Sequence, residues 1–234
     1  MREWIFMSDS MQRIVEILAD AFMPMLKAGL QWTCSLTLVS FFFGMILAFI
    51  LALCKLSKSR ILKGVSSFII WFVRGVPLIV LLFIIFYGMP NIGIVLPAFL
   101  SASIGFSLSE GAYNAEVIRA AILSIPKGQW EACKAIGMTT GQTLRFVVVP
   151  QATRIAIPPV ANNFISLVKD TSLAAIITVP EMFQRTQQIV AITYEPLWLY
   201  LEVGVIYLIF SSALSYAQSK LEKKFGKGVH ETTL

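Results

Sequence analysis

Two groups of polar residues interrupt a largely apolar sequence, and their spacing limits what they can do. Glu110 is followed by Tyr113 and Asn114, so a helix would carry all three side chains on one face. Asn162, Asn163, Ser166, Lys169, Asp170, Thr171 and Ser172 form the second group. Asn163 and Asp170, seven residues apart, fall on nearly the same helical face. Carboxylates with amides and an ammonium can supply both the acceptor and the donors that a zwitterion needs, from Glu110 or Asp170 with Asn163 or Lys169. That chemistry binds and does not break bonds. The single histidine, His230, lies in a polar tail. Cys34, Cys54 and Cys133 are widely spaced without a CxxC pair, and no GxxxxGK[ST] loop occurs to cradle a nucleotide. Neither a catalytic residue nor a metal ligand is expected.

The elements that must hold these groups are membrane helices. Of 234 residues 57% are hydrophobic and 14% charged, against about 25% charged in a soluble domain. The basic residues behind the net charge of +6 sit in short segments between apolar runs, not on one face, so nucleic acid is not an expected partner. Five spans are expected, at about 28–54, 65–87, 96–118, 155–177 and 197–217, each near the roughly 20 residues a bilayer core requires. Before them, residues 1–27 form an amino-terminal segment. There Asp9, Arg13, Glu16 and Asp20 rule out a signal peptide's apolar core, and Ile14, Ile17, Leu18 and Ala21 predict an amphipathic helix lying at the membrane surface. Lys55, Lys58, Arg60 and Lys63 follow the first span. Arg119, Lys127, Lys134, Arg145 and Arg154 lie between the third and fourth, and lysines fill the tail, 220–234. The positive-inside rule then places the amino terminus outside and the carboxyl terminus in the cytoplasm.

Charged groups within spans are functional candidates by default. Arg74 is expected near the middle of the second span, where Gly75 and Pro77 break the helix. Its guanidinium would take freed carbonyls or fix the kink. Glu110 would hold a substrate's amino group, or pair with Lys169. Glu116 and Arg119, at i and i+3, form a structural or gating ion pair. Lys169 and Asp170 are adjacent, point about 100° apart, and so do not pair with each other. The polar stripe of the fourth span suits an interhelical contact or a solute path better than a lipid face.

The cytoplasmic stretch EACKAIGMTTGQTLRFVVVP, Glu131 to Pro150, is too patterned for a linker. Ala132, Ala135 and Ile136 share one helical face, Gly137 ends that helix, and Thr140, Leu144, Val147 and Val148 begin another. Two short helices hinged at a glycine, with a small-residue surface, make a knob that another protein can approach closely.

Glu131-Ala132-Cys133, Gly137 and Val149-Pro150 resemble the EAA motif of permease subunits of ATP-binding-cassette importers, with Cys133 in place of the second Ala and Val149 in place of Leu. FVRGVPLIVLLFIIFYG, AYNAEVIRAAILSIPKGQWEA and NNFISLVKDTSLAAIITVPE are similar, in order, to segments of the polar amino acid subfamily. That subfamily often has a small polar residue or Thr at the Glu110 position, so the carboxylate departs from it. The resemblance implies an all-α type I (MetI-like) importer permease. Its five transmembrane helices and amino-terminal amphipathic helix would occupy 28–219 and what precedes it, in a bacterial cytoplasmic (inner) membrane. It implies a coupling loop at 127–150, with Glu131, Ala132 and Gly137 contacting the ATPase, and a pathway lined by Glu110, Asn114, Asn163, Lys169, Asp170 and Ser172. The implied partners are two cytoplasmic ATPase subunits that bind ATP and Mg, an extracytoplasmic solute-binding protein, and a second permease chain, the same or a sister. No cofactor is expected in this chain, and no enzyme activity of its own. KGQWEACKAIGMTTGQT and FISLVKDTSLAA look most like L-cystine permeases. Glutamine, histidine and arginine importers share nearly all the motifs, and an ion-coupled carrier or channel could use the same intramembrane residues.

Overall fold

The computed structural model describes residues 2–225, with the side chains of residues 11–220 and Glu222; His230 and most of the expected tail fall outside them. Helix α1 (Arg2–Ala28) passes through one π turn, Gly29–Thr33, into α2 (Cys34–Leu56). The boundary expected at residue 27 is thus crossed without a break, because both residues flanking the π turn keep right-handed helical backbone. The amphipathic stripe of α1 is covered by protein: Ile17, Leu18, Ala21 and Met25 pack against Met182, Leu199, Val203 and Ile206. Those partners belong to α9 (Met182–Thr193) and α10 (Pro196–Phe225).

Helix α3 (Arg60–Gly75) opens on Ser59, whose hydroxyl accepts from Leu62 N, and ends where Pro77 follows. Beyond it α4 (Leu78–Phe83) continues through short π and 3₁₀ turns to Ile92, and the two segments meet at a bend of 104°. Gly75 and Pro77 therefore break the chain where the sequence indicated, but the break is nearly a right angle. Helix α4 runs along α5 (Ala98–Leu123), with Leu82 against Gly105, so α4 is upright and α3 lies across it. Arg74 accordingly stands at the bend between the two helices and not in the interior of a straight span. It lies level with Tyr113, whose ring centroid is 4.9 Å from the guanidinium. That is one turn from Glu116, which binds Lys55 at the end of α2. An upright α3 would have lifted Arg74 ~21 Å above Arg60 at 1.5 Å per residue.

Among the described residues, two helical runs are long and apolar enough to cross a bilayer, Met11–Leu56 and Pro196–Lys220, and the bent pair makes a third if counted as one. Helix α5 and helix α8 (Val149–Asp170) have the length but carry too many polar groups to qualify on composition. The reason is position. Helix α5 is wrapped by α2, α3, α4 and α8, and its Ser101, Ser103, Glu110 and Asn114 are buried in protein. The outward faces of the other helices are apolar, as with Phe42, Ile46, Phe49 and Leu53 on α2.

Helices α2 and α5 run side by side at close range. A Cβ on Gly44 would lie 2.7 Å from the Glu110 Cβ and 3.2 Å from the Ser107 carbonyl oxygen, and one on Gly111 would lie 2.7 Å from Leu47 Cδ2. Small residues permit such approach where lipid offers no hydrophobic drive for association. Gly44→Ala is therefore expected to destabilise by about 1–3 kcal/mol, as overpacking does, and to lower the melting temperature of the purified chain. Gly64→Ala, with no atom within 4 Å of the added Cβ, should leave it unchanged or slightly raised.

Candidate functional site

The two polar groups of the sequence meet between α5 and α8. Asn114 Nδ2 donates to Glu110 Oε2 at 2.8 Å, and Asn163 Nδ2 donates to Asn114 Oδ1 at 2.8 Å. Glu110 is 7% exposed and Asn114 0%. The helical spacing sets the first bond and the α5–α8 packing sets the second. Glu110 does not pair with Lys169: among the described residues the ion pairs are Lys55–Glu116 and Arg119–Glu116. The i, i+4 amide is nearer to hand than an ammonium on the exposed end of α8.

Lys169 and Asp170 are exposed at that end, with Ser166 and Asn162 on earlier turns. No ion pair joins Lys169 to Asp170, as their adjacency indicated. Beyond Asp170 the helix tightens into a 3₁₀ turn, Thr171–Ile177, which closes on Thr178 in the left-handed region at φ 64°. Ser172 Oγ donates to the Lys169 carbonyl at 2.7 Å and so holds this tightening. Asn162 Oδ1 accepts from Gln218 of α10 at 2.9 Å. The result is a Glu–Asn–Asn chain, buried at Glu110 and Asn114 and half-buried at Asn163, bordered by an exposed polar stripe on α8.

The Glu116–Arg119 pair forms as its spacing indicated, Nε to Oε2 at 2.8 Å. Lys55 joins it from α2, a partner read in the sequence only as a flanking charge. A fourth carboxylate, Glu181, was read only as the end of a motif. It is fully buried and accepts from Phe183 N at 2.9 Å, Gln184 N at 2.6 Å and Tyr207 Oη at 2.8 Å. It caps α9 and ties it to α10. The signal available in the sequence was an acidic residue at a helix start after a proline.

Toward the other end, α6 (Lys127–Ala135) closes with Gly137 N bonded to the Lys134 carbonyl and Met138 N to the Cys133 carbonyl, with Gly137 at φ 79°. Thr139 and Gln142 then form a capping box that starts α7 (Thr140–Thr143). Glu131, Ala132, Ala135 and Ile136 are exposed, Ile136 at 77%, while Cys133 is buried against the bundle. The knob is fixed from below by Ile125, Trp130, Leu144 and Val148.

Residues 40–227 match the family model described as binding-protein-dependent transport system inner membrane component. The chain belongs to that family. The chain is similar to the L-cystine transport system permease protein TcyB of Bacillus subtilis (strain 168), 48% identical, with 92% of each chain covered. The arginine transport system permease protein ArgU of Corynebacterium glutamicum is 37% identical over 86% of this chain and 68% of its own. Among solved structures, an amino acid ABC transporter with histidines aligns at TM-score 0.79 and 29% identity, covering 92% of this chain and 97% of that one. An inward-facing MetNI methionine ABC transporter, at 23% identity and TM-score 0.73, shares the fold, with 86% and 96% covered. This inner membrane component is therefore a type I importer permease subunit; it works with a binding protein, and the ATPase activity resides in a separate subunit.

The buried chain gives a stability prediction. Asn114→Leu leaves Glu110 and Asn163 without their partner and should cost about 1–3 kcal/mol, measured by thermal unfolding of the purified permease. Asn114→Gln, which keeps both functions on a longer stem, should recover part of the loss.

Proposed function

We propose that this permease forms the translocation pathway for a polar amino acid, L-cystine in particular. The observation that carries the reading is the Glu110–Asn114–Asn163 chain, bordered by the exposed Ser166, Lys169 and Asp170 of α8. A polar stripe on a membrane helix needs water, substrate or protein opposite it, because lipid satisfies none of its groups. A carboxylate acceptor for the α-amino group, with amide or ammonium donors for the carboxylate, suits a zwitterion. L-cystine is favoured over other polar amino acids by the 48% identity to TcyB, against 37% to ArgU. Arginine is the alternative substrate this comparison leaves next.

In this reading α8 faces a second permease chain across the pathway, and two ATPase subunits seat on the two knobs through Glu131, Ala132 and Gly137. Closure of the ATPases on ATP and Mg brings the knobs together and turns the pathway outward; release turns it inward. The amino terminus lies outside, so the knob and the end of α10 are cytoplasmic, as the short-loop charges require. An ion-coupled carrier or channel would use the same stripe but has no need of a rigid, exposed knob.

The test is reconstitution in liposomes with the cognate ATPase and binding protein, reading ATP hydrolysis and uptake of radiolabelled cystine, arginine, glutamine and histidine. Cystine-loaded binding protein should stimulate hydrolysis. Glu131→Ala should weaken that stimulation, and Gly137→Pro should reduce it to background, since proline's φ near −65° is incompatible with φ 79°. Uptake of arginine in place of cystine would transfer the assignment. Uptake indifferent to both knob variants would reject the coupling role.

A further inference from the structure

Helix α3 combines features that no part of the transport cycle above uses. It lies across the bundle, and its residues divide into three faces. Ser66, Ile70 and Val73 are buried against α2 and α5. Ile61, Val65, Phe68 and Phe72 recur at i, i+4, i+7 and i+11, all exposed, with Ile61 at 77% and Phe68 at 62%. Arg60, Lys63, Ser67 and Arg74 recur at i, i+3, i+7 and i+14, which sets them on a third face. Basic residues on one side and large apolar residues on the other, on a helix lying across upright spans, are the features of a helix seated at a membrane interface.

The basic face opens into a cleft of ≈470 Å³ bordered by Lys55, Ser67, Trp71, Arg74, Tyr113 and Glu116. Among the described residues the only carboxylate there is Glu116, and it already binds Lys55 and Arg119. Arg74 lies over the Tyr113 ring, a contact that orients the guanidinium without neutralising it. Lys58, Arg60 and Lys63 stand exposed around the α2–α3 turn. The cleft thus has an excess of positive charge, a hydroxyl donor and an aromatic wall, and it opens at the level where α3 lies.

We propose that this cleft holds the phosphate headgroup of an anionic phospholipid. Arg74 and Lys55 face the phosphate, Ser67 donates to it, and the acyl chains lie beside Phe68, Trp71 and Phe72. The leaflet is the one against which α3 rests, the cytoplasmic one under the orientation above. That orientation sets only the name of the leaflet, and the cleft and its ligand are independent of the substrate and of ATP coupling.

The experiment uses the full chain with Trp71 kept and the other tryptophans replaced by Phe, reconstituted in phosphatidylcholine vesicles containing brominated lipid. Bromine quenches a nearby indole, so quenching reports which lipid sits beside Trp71. Brominated phosphatidylglycerol should quench more strongly than brominated phosphatidylcholine at equal mole fraction. Arg74→Gln should lower the relative affinity for the anionic lipid about fivefold, the effect of one basic residue at such a surface, while Arg74→Lys keeps most of the preference. Lys63→Ala, a change at an exposed residue, should lower it without touching the packed face. Equal quenching by both lipids, or a preference that survives Arg74→Gln, would overturn the proposal. So would its loss on adding millimolar inorganic phosphate, which would assign the cleft to the free anion.

Discussion

Helices α2 and α5 approach at Gly44 and Gly111 until an added Cβ would fall 2.7 Å from the other helix, and the placement of the other groups follows from that contact. Gly44 abuts the Cβ of Glu110, so the helix contact itself determines where the carboxylate stands. Ser107 Oγ donates to the Ser40 carbonyl at 3.1 Å across the same seam. Farther along the same pair of helices, Lys55 reaches Glu116. With α5 held on this side, its opposite side is left to α8, and Asn114 meets Asn163 there. A membrane protein has little hydrophobic drive to bring helices together. Close backbone contact between small residues supplies the attraction, and it also fixes register more sharply than a layer of leucines would.

Much of this was legible in the sequence where a residue has a local effect. Gly75 and Pro77 end a helix whatever surrounds them, and Gly137 closes one because only glycine adopts φ 79° without strain. Glu110 with Asn114, and Glu116 with Arg119, are neighbours by helical spacing alone. The groups that were not legible depend on contacts remote in sequence. Lys55 meets Glu116 across 61 positions and Tyr207 meets Glu181 across 26. The direction of the chain after Pro77 was hidden for a related reason. An apolar run of the length of 65–87 looks like one span, and composition cannot say that its first part lies flat. The amphipathic stripe of α1 has the same ambiguity, since a protein surface and a membrane surface ask for the same periodicity.

The two spans that fail a simple test of apolarity, α5 and α8, are the two that carry the candidate pathway residues. Groups that would be costly against lipid are placed on helices shielded from it, and the apolar faces of α2, α3 and α10 supply the shield. The failure of α5 and α8 as lipid-facing helices is thus a consequence of their role.

The continuity of α1 with α2 has a mechanical corollary. Residues 2–56 form one continuous run of helix, about 80 Å along its contour at 1.5 Å per residue. One arm of that run is clamped to α9 and α10, and the other carries Gly44 against Glu110. A tilt of α9 and α10 at one end meets Pro24, which removes a ladder hydrogen bond, and then the π turn, where helices bend readily. Only the part of the tilt not taken up at these two points travels on to Gly44 and the carboxylate, so the connection between the clamped arm and Glu110 is a damped one.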